Sequence, residues 1–377
     1  MNAQAYAVPG CTVRIQAPVE VSRATGHLWF SSVHPFNGEE ILCEVVLADD
    51  KAQGNWPGVL FLTRDGGATW REAGRITYGP VSARCGPRSR LILPYEQWPL
   101  TPGDSRNTRA QGWQVTLTEE GTVQTEPVPV ELHGFPRDLA PYHEDELCLL
   151  TNGNVLPLRD GRLFATFYGT FSGDPKYTNV AMTSGDGGRN WEYLSTVASW
   201  EEIPDGVEGP DESNSARLPD GRILCVYRVG SGNEQPYYAS ESEDEGRTWS
   251  RPRALDGAWS VEPQLVCLEN GVLLLSGGRT GLFLWVCPEG DGRRWHRLNL
   301  ADHHNAGAAD TAMRFPEAFC RAQGESGLST SYTGMVAIGP DEVLLSYDRL
   351  ANGWHGAPGP WGQHDAVFTV RIRVDRD

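Results

Sequence analysis

The chain has 377 residues and a formal net charge of −17 at pH 7. Nucleic acids and anionic membranes bind basic protein faces, so this charge argues against both as partners. The 43 glycines, 26 prolines and 13 tryptophans, without any long amphipathic helical pattern, indicate short strands joined by turns. No apolar run approaches the roughly 18 residues that a transmembrane helix needs.

The N-terminus and the cysteines favour one cellular compartment. The first ten residues, MNAQAYAVPG, show no basic segment followed by an apolar run, so we predict no signal peptide. The eight cysteines have no CxxC spacing, and several lie within apolar strands, which is typical of a reduced protein. We therefore expect a cytoplasmic protein. The histidines lack metal-ligand spacing, and we expect neither a metal nor a cofactor.

The first half of the chain, taken in order, contains three repeats. A strand over residues 11–21 precedes them and is expected to complete the last repeat of the chain, which would remove a free sheet edge. The first repeat spans about residues 27–70, and the second, which is the least regular, about residues 76–125. The third begins near residue 145 and contains a hairpin across residues 159–161.

The second half contains three more repeats. Residues 212–249 and 261–286 each begin with a hairpin of two apolar strands, and residues 329–350 repeat this design before a closing strand over 366–374. Residues 301–329 are long, polar and rich in glycine and alanine. A loop of this length inside a compact domain is usually disordered or functional.

An eight-residue pattern, S/T-x-D-x-G-x-T-W, recurs along the chain. Residues 242–249 and 63–70 match it at every specified position, residues 184–191 depart from it at Asn190, and residues 291–295 keep a shortened form. The pattern describes a turn between antiparallel strands. Its aspartate accepts backbone N–H bonds, its glycine takes a positive φ and its tryptophan covers the turn.

The tryptophans that end these patterns indicate the length of the repeat. Trp191 and Trp249 are 58 residues apart (249 − 191), and Trp249 and Trp295 are 46 apart (295 − 249). Repeats of roughly 40 to 50 residues that consist of short strands predict a β-propeller. The chain holds six such repeats.

Repeated Asp boxes on an all-β chain of six repeats resemble the sialidase superfamily, over nearly the whole length. The resemblance implies an all-β fold, a six-bladed β-propeller of four-stranded antiparallel blades, with residues 1–377 as a single domain. It also implies an exo-acting glycoside hydrolase whose partner is a glycan or glycoside. The Asp boxes themselves imply the fold rather than the activity, because they lie at the periphery of the blades.

The resemblance extends to candidate catalytic residues. Tyr332, followed by Thr333 and preceded by serine, resembles the sialidase nucleophile, and Glu212 resembles the glutamate that activates it. Arg228 follows Glu212 by 16 residues across an apolar strand, like the second arginine of the family. Arg279 stands where the third arginine would be.

Further acidic residues complete the implied site. Asp348 matches the residue that usually braces the family's first arginine. Asp50 or Asp49, in an acidic loop at a strand end, is the candidate general acid that protonates the leaving oxygen. Glu262 occupies in the fifth repeat the place that Glu212 has in the fourth, at the start of a hairpin.

These residue types suit a sugar that carries a carboxylate at its anomeric carbon. A neutral tyrosine avoids the repulsion that an anionic nucleophile would meet, and sialidases are known as an exception among glycosidases for this reason. Arginine presents planar, paired donors that fit the carboxylate of the substrate.

The sequence departs from the family at the first arginine. Trp29 stands in its place, and Arg23 or Arg349 would have to supply the charge. An aromatic ring at this position would instead stack on an apolar sugar face. We therefore expect the preferred substrate to be an acidic sugar related to N-acetylneuraminic acid rather than that sugar itself.

Two other functions fit the same chain. One is a propeller glycosidase or lyase for another sugar, with Glu212 and Glu262 as paired carboxylates or with a loop histidine, His303 or His304, in the reaction. The other is a propeller that binds glycans without cleaving them.

Overall fold

The structure is a computed structural model. It describes residues 3–24, 27–49, 56–101, 104–141, 149–230, 235–279, 281–316, 330–351 and 365–377. The chain divides into two compact units, which we treat separately. Unit 1 comprises Met1–Asp50, Gly58–Ala73 and Asp256–Asp377, and unit 2 comprises Lys51–Pro57 and Gly74–Leu255.

The described residues form strands joined by turns, with little helix. The strands, in chain order, are β1 (Gln4–Val8), β2 (Cys11–Ile15), β3 (Val19–Ala24), β4 (Trp29–Pro35), β5 (Ile41–Val46), β6 (Pro57–Thr63), β7 (Arg71–Thr77), β8 (Val81–Gly86), β9 (Ser89–Leu93), β10 (Glu96–Thr101), β11 (Asp104–Leu117), β12 (Val123–His133), β13 (Leu139–Ala140), β14 (Leu149–Thr151), β15 (Leu156–Pro157), β16 (Leu163–Phe171), β17 (Thr178–Ser184), β18 (Asn190–Ala198), β19 (Ser213–Arg217), β20 (Ile223–Tyr227), β21 (Pro236–Ser242), β22 (Arg253–Trp259), β23 (Gln264–Cys267), β24 (Leu273–Gly277), β25 (Phe283–Cys287), β26 (His296–Asn299), β27 (Thr333–Gly339), β28 (Glu342–Arg349) and β29 (Asp365–Arg376). The helical segments are α1 (Leu300–Gly307) and the 3-10 turns Trp200–Glu202 and Thr311–Met313.

In unit 1, the ends of the chain share one sheet. Its order is β1-β2-β29-β28-β27, and β3 also pairs with β29. Strand β2 lies antiparallel to β29, which confirms the prediction that an N-terminal strand completes the sheet of the last repeat. Two four-stranded sheets, β23-β24-β25-β26 and β4-β5-β6-β7, follow the order of the chain.

In unit 2, an eleven-stranded sheet has the order β10-β14-β16-β17-β18-β12-β11-β9-β8, with β13 and β15 also on β16. The pairing of β12 with β18 is parallel and joins two antiparallel meanders. The sequence prediction that the second repeat ends near residue 125 is wrong. Strand β12 continues to His133 because Val128, Val130 and Leu132 alternate into the core. The sheet β19-β20-β21-β22 has four strands.

The central strands of the four-stranded sheets are buried on both faces. Every residue of β20, β24 and β25 is buried, and their sequences ILCVY, LLLSG and FLWVC are almost wholly apolar. Strand β22, at the edge of its sheet, has two buried residues, Leu255 and Ala258. Continuous apolar runs therefore mark strands covered on two sides.

The fold is all-β, as predicted, whereas the closed six-bladed propeller and the single domain over residues 1–377 stay predictions. No helix in the described residues is long and apolar enough to cross a membrane. The six cysteines that the structure describes are free thiols. The cytoplasmic location also stays a prediction.

Helix α1 occupies the start of the segment that the sequence predicted as a loop. Its first turn is capped by Asn299, whose side-chain oxygen accepts hydrogen bonds from the N–H groups of Ala301 and Asp302. The helix buries both histidines that were candidates for a reactive loop residue. Those histidines therefore belong to the core of unit 1.

The ring nitrogens of these histidines contact polar groups of the core. His303 lies 2.9 Å from the hydroxyl of Tyr6, and His304 lies 2.8 Å from the hydroxyl of Tyr347 and 3.0 Å from the carbonyl oxygen of Met313. Burial lowers the pKa of His304 to about 4. The prediction of a loop histidine that reacts with substrate is wrong, because packing holds both rings away from solvent.

The Asp boxes have the predicted geometry. In the box of residues 242–249, Asp244 accepts hydrogen bonds from Thr248 N at 2.8 Å and from Thr248 Oγ1 at 2.7 Å. Gly246 has a φ of 82°, and its N–H donates to Ser242 Oγ at 2.8 Å. The indole N–H of Trp249 donates to Ser195 Oγ at 3.0 Å. The carboxylate of Asp244 and the hydroxyl of Ser242 thus order the turn together.

We predict that Asp244→Ala lowers the free energy of unfolding by about 1 to 3 kcal/mol, because N–H and hydroxyl donors of the turn lose their acceptor. The matched control is Asp291→Ala in the shortened box, where the carboxylate accepts one backbone bond, from Arg293 N. Urea denaturation of both variants measures the difference. An equal loss in the two variants would show that the complete box adds no stability.

Candidate active site

In unit 2, Glu212 and Arg228 meet as the sequence predicted. Glu212 directly precedes β19 and Arg228 directly follows β20. Their backbones extend the ladder between these strands, because Arg228 N donates to Glu212 O at 3.1 Å. The side chains form an ion pair, with 3.1 Å between Arg228 Nη1 and Glu212 Oε2. The carboxylate of Glu212 is only 2% exposed.

Two more carboxylates, which sequence analysis missed, face the same guanidinium. Arg228 Nε lies 3.2 and 3.1 Å from the two carboxylate oxygens of Asp211. Arg228 Nη2 donates to Glu208 Oε2 at 2.9 Å. One cation therefore faces three carboxyl groups, which we call the Arg228 cluster. The signal in the sequence was the acidic run Glu208-Gly-Pro-Asp211-Glu212 immediately before a predicted strand.

Within the Arg228 cluster, Asp211 differs from the other carboxyl groups. It is completely buried, and this burial raises its pKa well above the usual value, although Arg228 acts in the opposite direction. The negative charges of Glu208 and Glu212 raise it further. Asp211 is therefore the carboxyl group of the cluster whose charged form burial disfavours most directly.

A short loop holds Glu208 in place. Lys176 Nζ donates to the carbonyl oxygens of residues 204 and 206, and Tyr177 N donates to Glu208 O at 2.8 Å. Gly209 has a φ of 85°, and a Cβ atom there would lie 2.5 Å from Tyr177 O, so only glycine fits. The side chain of Glu208 remains 24% exposed, which makes it the most accessible carboxylate of the Arg228 cluster.

In unit 1, Tyr332 and Arg279 lie side by side. Tyr332 precedes β27 and Arg279 lies just beyond the end of β24. Arg279 N donates to Ser331 O at 2.9 Å, which aligns the two segments. The guanidinium carbon of Arg279 is 5.8 Å from the centroid of the Tyr332 ring, within the range of cation–π contact. Tyr332 is 8% exposed.

Glu262 adjoins a residue that contacts this pair. The N–H of Val261 donates a hydrogen bond to Arg279 O at 2.8 Å. Glu262 is the next residue in the chain. Glu262 is buried and has a φ of 37°, which is uncommon for a residue with a side chain and costs conformational energy. Gln264 Nε2 lies 3.3 Å from Glu262 Oε1. Such strain is often found at functional sites.

The predicted role of Asp348 as the brace of an arginine is wrong. Its buried carboxylate accepts hydrogen bonds from Ser331 N, from Ser331 Oγ and, at 3.0 Å, from Phe30 N. Phe30 has a φ of 51°, and its ring centroid is 4.7 Å from that of Tyr332. Asp348 therefore positions the two residues that flank the tyrosine ring, Ser331 in the chain and Phe30 in space.

The prediction that Trp29 stacks on a sugar is also wrong. Trp29 is 1% exposed, its indole N–H donates to Ala48 O at 2.7 Å, and its ring stacks between those of His27 and Phe30 at 5.0 and 4.4 Å. The indole therefore has no open face. It contributes to the packing beneath Phe30.

The two substitute arginines contact other groups of unit 1. Arg23 Nε donates to Glu20 Oε1 at 2.7 Å, and Arg23 Nη1 donates to Asp310 Oδ2 at 3.0 Å, so carboxylates already balance its charge. Arg349 Nη2 lies 3.4 Å from the carbonyl oxygen of Arg314, and burial lowers the pKa of Arg349.

Among the candidate general acids, Asp49 is exposed, and Asp50 lies outside the described residues. The pairing of Glu212 with Tyr332 stays a prediction, because the two belong to different units. In the part of the chain that the structure describes, no group of three or more histidine, cysteine, aspartate or glutamate side chains could hold a metal ion.

A model of the BNR repeat-like domain family matches residues 106–331, which is more than half of the chain. The chain belongs to this family. The resemblance to the sialidase superfamily, whose Asp boxes are also called BNR repeats, is thereby confirmed. No curated protein matches the chain.

Several solved structures share the fold of this chain. A protein of unknown function from Dyadobacter fermentans is 18% identical, with a TM-score of 0.65 and coverage of 98% of this chain and 100% of that one. An α-L-arabinanase from Penicillium chrysogenum, complexed with arabinobiose, is 15% identical (TM-score 0.57; 94% and 98% covered). A Trypanosoma rangeli sialidase is 15% identical (TM-score 0.55; 94% and 58% covered). Identities this low support a shared fold alone, one that glycoside hydrolases use.

A second buried carboxylate, Asp365, lies near Asp348 and accepts a hydrogen bond from Ala351 N at 2.9 Å. Burial is the main cause that raises the pKa of each from the usual 3.8 to about 6, and for Asp365 the charge of Asp348 also contributes to this rise. The folded protein therefore binds more protons than the unfolded chain between about pH 4 and pH 6. The contribution of these groups to stability is greatest below pH 4 and falls as the pH rises through 6.

We predict that Asp348→Asn plus Asp365→Asn reduces this pH dependence, because neither asparagine titrates. Between pH 4 and pH 7, the parent should lose about 2 kcal/mol or more of unfolding free energy relative to the double variant. Urea denaturation at several pH values, with exposed Asp256→Asn as control, measures this slope independently of any uniform destabilisation. Parallel pH profiles for parent and double variant would contradict the prediction.

Proposed function

We propose that this protein is a glycoside hydrolase for neutral sugars and that Glu208 and Glu212 carry the chemistry. The observation that supports the proposal is the Arg228 cluster. A guanidinium that faces three carboxyl groups has little charge left for the carboxylate of an acidic sugar, and a further carboxylate would be repelled. This favours the carboxylate-based alternative over release of an acidic sugar.

The chemistry needs two carboxyl groups with different roles. One must protonate the leaving oxygen as an acid, and the other must activate water or attack the anomeric carbon. Glu208 is the better acid and base, because its partly exposed side chain can exchange protons with solvent. Glu212, deeper in the cluster, is the second carboxylate. Arg228 holds both at fixed positions, and buried Asp211 is a positioning residue.

Two proteins of similar fold suggest which neutral sugars to test first. One is the Penicillium α-L-arabinanase, and the other is an α-L-arabinofuranosidase from Fusarium graminearum, 14% identical with a TM-score of 0.60. Arabinosides are neutral and would not need an unpaired arginine. We therefore place arabinose-containing glycosides at the head of the substrate panel.

We predict that p-nitrophenyl glycosides of neutral pentoses or hexoses, with arabinofuranosides first, are cleaved faster than p-nitrophenyl sialosides. The physical reason is that the guanidinium of Arg228 already faces three carboxyl groups. Release of p-nitrophenol across the panel, at one pH and salt concentration, measures kcat/KM for each. A sialoside as the best substrate would overturn the neutral-sugar proposal.

We predict that Glu208→Gln and Glu212→Gln each lower kcat by at least about 100-fold, which is the usual scale for loss of an acid, a base or a nucleophile. The matched control is Glu245→Gln, which removes a charge from another arginine–glutamate pair of unit 2, with Arg217. Steady-state kinetics on the best substrate, with circular dichroism of each variant, separates catalysis from folding. Equal losses in all three variants would argue against the assignment.

A tyrosine-based reaction on an acidic sugar, as in sialidases, is the second candidate. The observation in its favour is Arg279 beside the ring of Tyr332, together with a strained Glu262 whose neighbour Val261 donates to Arg279 O. Tyr332→Phe keeps the ring contacts with Phe30 and Arg279 and removes only the hydroxyl. The neutral-sugar proposal expects this variant to retain most of its kcat, whereas a nucleophilic tyrosine requires near-complete loss.

A further inference from the structure

A cavity of about 110 Å³ lies in unit 2, apart from the residues of the Arg228 cluster. Its walls come from the end of β7, the link between β9 and β10, and the middle of β11. The lining residues that matter to its chemistry are three aromatic and three polar ones, namely Trp56, Tyr78, Tyr95, Thr77, Glu96 and Gln111. We call it the Tyr95 pocket.

The aromatic rings of the Tyr95 pocket pack directly on one another. The centroid of Trp56 lies 5.2 Å from that of Tyr95 and 6.2 Å from that of Tyr78, and the two tyrosine centroids are 6.0 Å apart. Backbone bonds fix this arrangement, because Tyr78 N donates to Trp56 O at 2.9 Å. The rings therefore form one rigid apolar surface, with Tyr95 as the least buried member.

The polar groups of the Tyr95 pocket select among ligand classes. Among the residues that the structure describes, no lysine, arginine or histidine lines it, so it offers an anionic ligand no basic side chain. Gln111 is exposed and Thr77 half-buried, and both can donate to and accept from hydroxyl groups. An apolar ring surface beside such groups suits a neutral sugar ring, which has apolar C–H faces and a rim of hydroxyls.

The Tyr95 pocket is connected to strand β19, which directly follows Glu212. Thr151 N donates to Tyr95 O at 2.9 Å, and the residues after β14 pack on β19, where a Cβ atom on Gly153 would lie 2.3 Å from Ser213 O. Asn154 N also donates to the side chain of Asn214. Tyr95 is therefore linked to the residue after Glu212 through two successive contacts, one at Thr151 and one at Gly153. A ligand of several sugar units can extend between two places connected in this way.

We propose that the Tyr95 pocket is a subsite that binds a neutral sugar unit of an oligosaccharide, away from the bond that is cleaved. The inference rests on the proposed function of the Arg228 cluster, within the same unit. It predicts that the protein is selective for oligosaccharides of three or more units over aryl monoglycosides, because only the longer ligands reach both places.

The test compares Tyr95→Ala and Gln111→Ala with the parent. The probes are arabinotriose, xylotriose and cellotriose, and the reference substrate is the best p-nitrophenyl monoglycoside. We expect the ratio of kcat/KM for the preferred trisaccharide to that for the monoglycoside to fall at least tenfold in both variants. Tyr238→Ala, at a half-buried tyrosine elsewhere in unit 2, should keep the parental ratio. An unchanged ratio in both pocket variants overturns the inference while the proposed function stands.

A binding measurement separates failure of the subsite from failure of the proposed function. Each trisaccharide is titrated into Glu208→Gln protein, and tryptophan fluorescence reports occupancy because Trp56 lines the pocket. Saturable binding that is lost on adding Tyr95→Ala or Gln111→Ala supports the subsite even if no glycoside is cleaved. Absence of binding at millimolar trisaccharide, or equal affinity after both changes, overturns it. If Tyr95→Ala fails to fold, Gln111→Ala, at an exposed side chain, decides alone.

Discussion

The pairing of Arg228 with three carboxyl groups constrains the chemistry of unit 2 more than any other interaction. Removing a guanidinium and carboxylates from water is costly, and the cost is offset only when the groups satisfy one another at short range. Glu212, Asp211 and Glu208 do so on three nitrogens of the same side chain. The arrangement is therefore a fixed electrostatic unit, and any ligand must fit its net charge.

The candidate site of unit 1 depends on a different arrangement, a buried carboxylate that accepts hydrogen bonds from N–H and hydroxyl groups. Asp348 is held by N–H and hydroxyl donors from Phe30 and Ser331, which stabilise its charge only in part, as its raised pKa indicates. Phe30 and Glu262 both adopt positive φ angles nearby. Strain of this kind persists only where the surrounding structure imposes it, which marks the segment around Tyr332 as specialised.

The structural features that depend on local sequence patterns could be predicted from the sequence. The contacts that depend on loop conformation and on a β-bulge could not. The Asp boxes, the strands and the meeting of Glu212 with Arg228 follow from turn residues, alternation and the length of one hairpin. Glu208 contacts Arg228 from a loop whose backbone is hydrogen-bonded by Lys176. The periodicity of apolar residues in a sequence does not predict such a contact. Trp29 was misassigned because the register of β4 against β5 shifts between Trp29 and Ser32, and a bulge changes the direction of the side chains beyond it.

The charge of the whole protein does not by itself decide whether an acidic sugar binds. At physiological salt, exposed charges are screened beyond about 8 Å, so most of the −17 acts weakly at any one site. A bound ligand interacts mainly with the charges close to it. At Arg228 these charges include the carboxylates of Glu208 and Glu212, which lie in direct contact with the guanidinium. An acidic sugar would have to displace one of these carboxylates from the guanidinium, whereas a neutral sugar can use both without disturbing the pair.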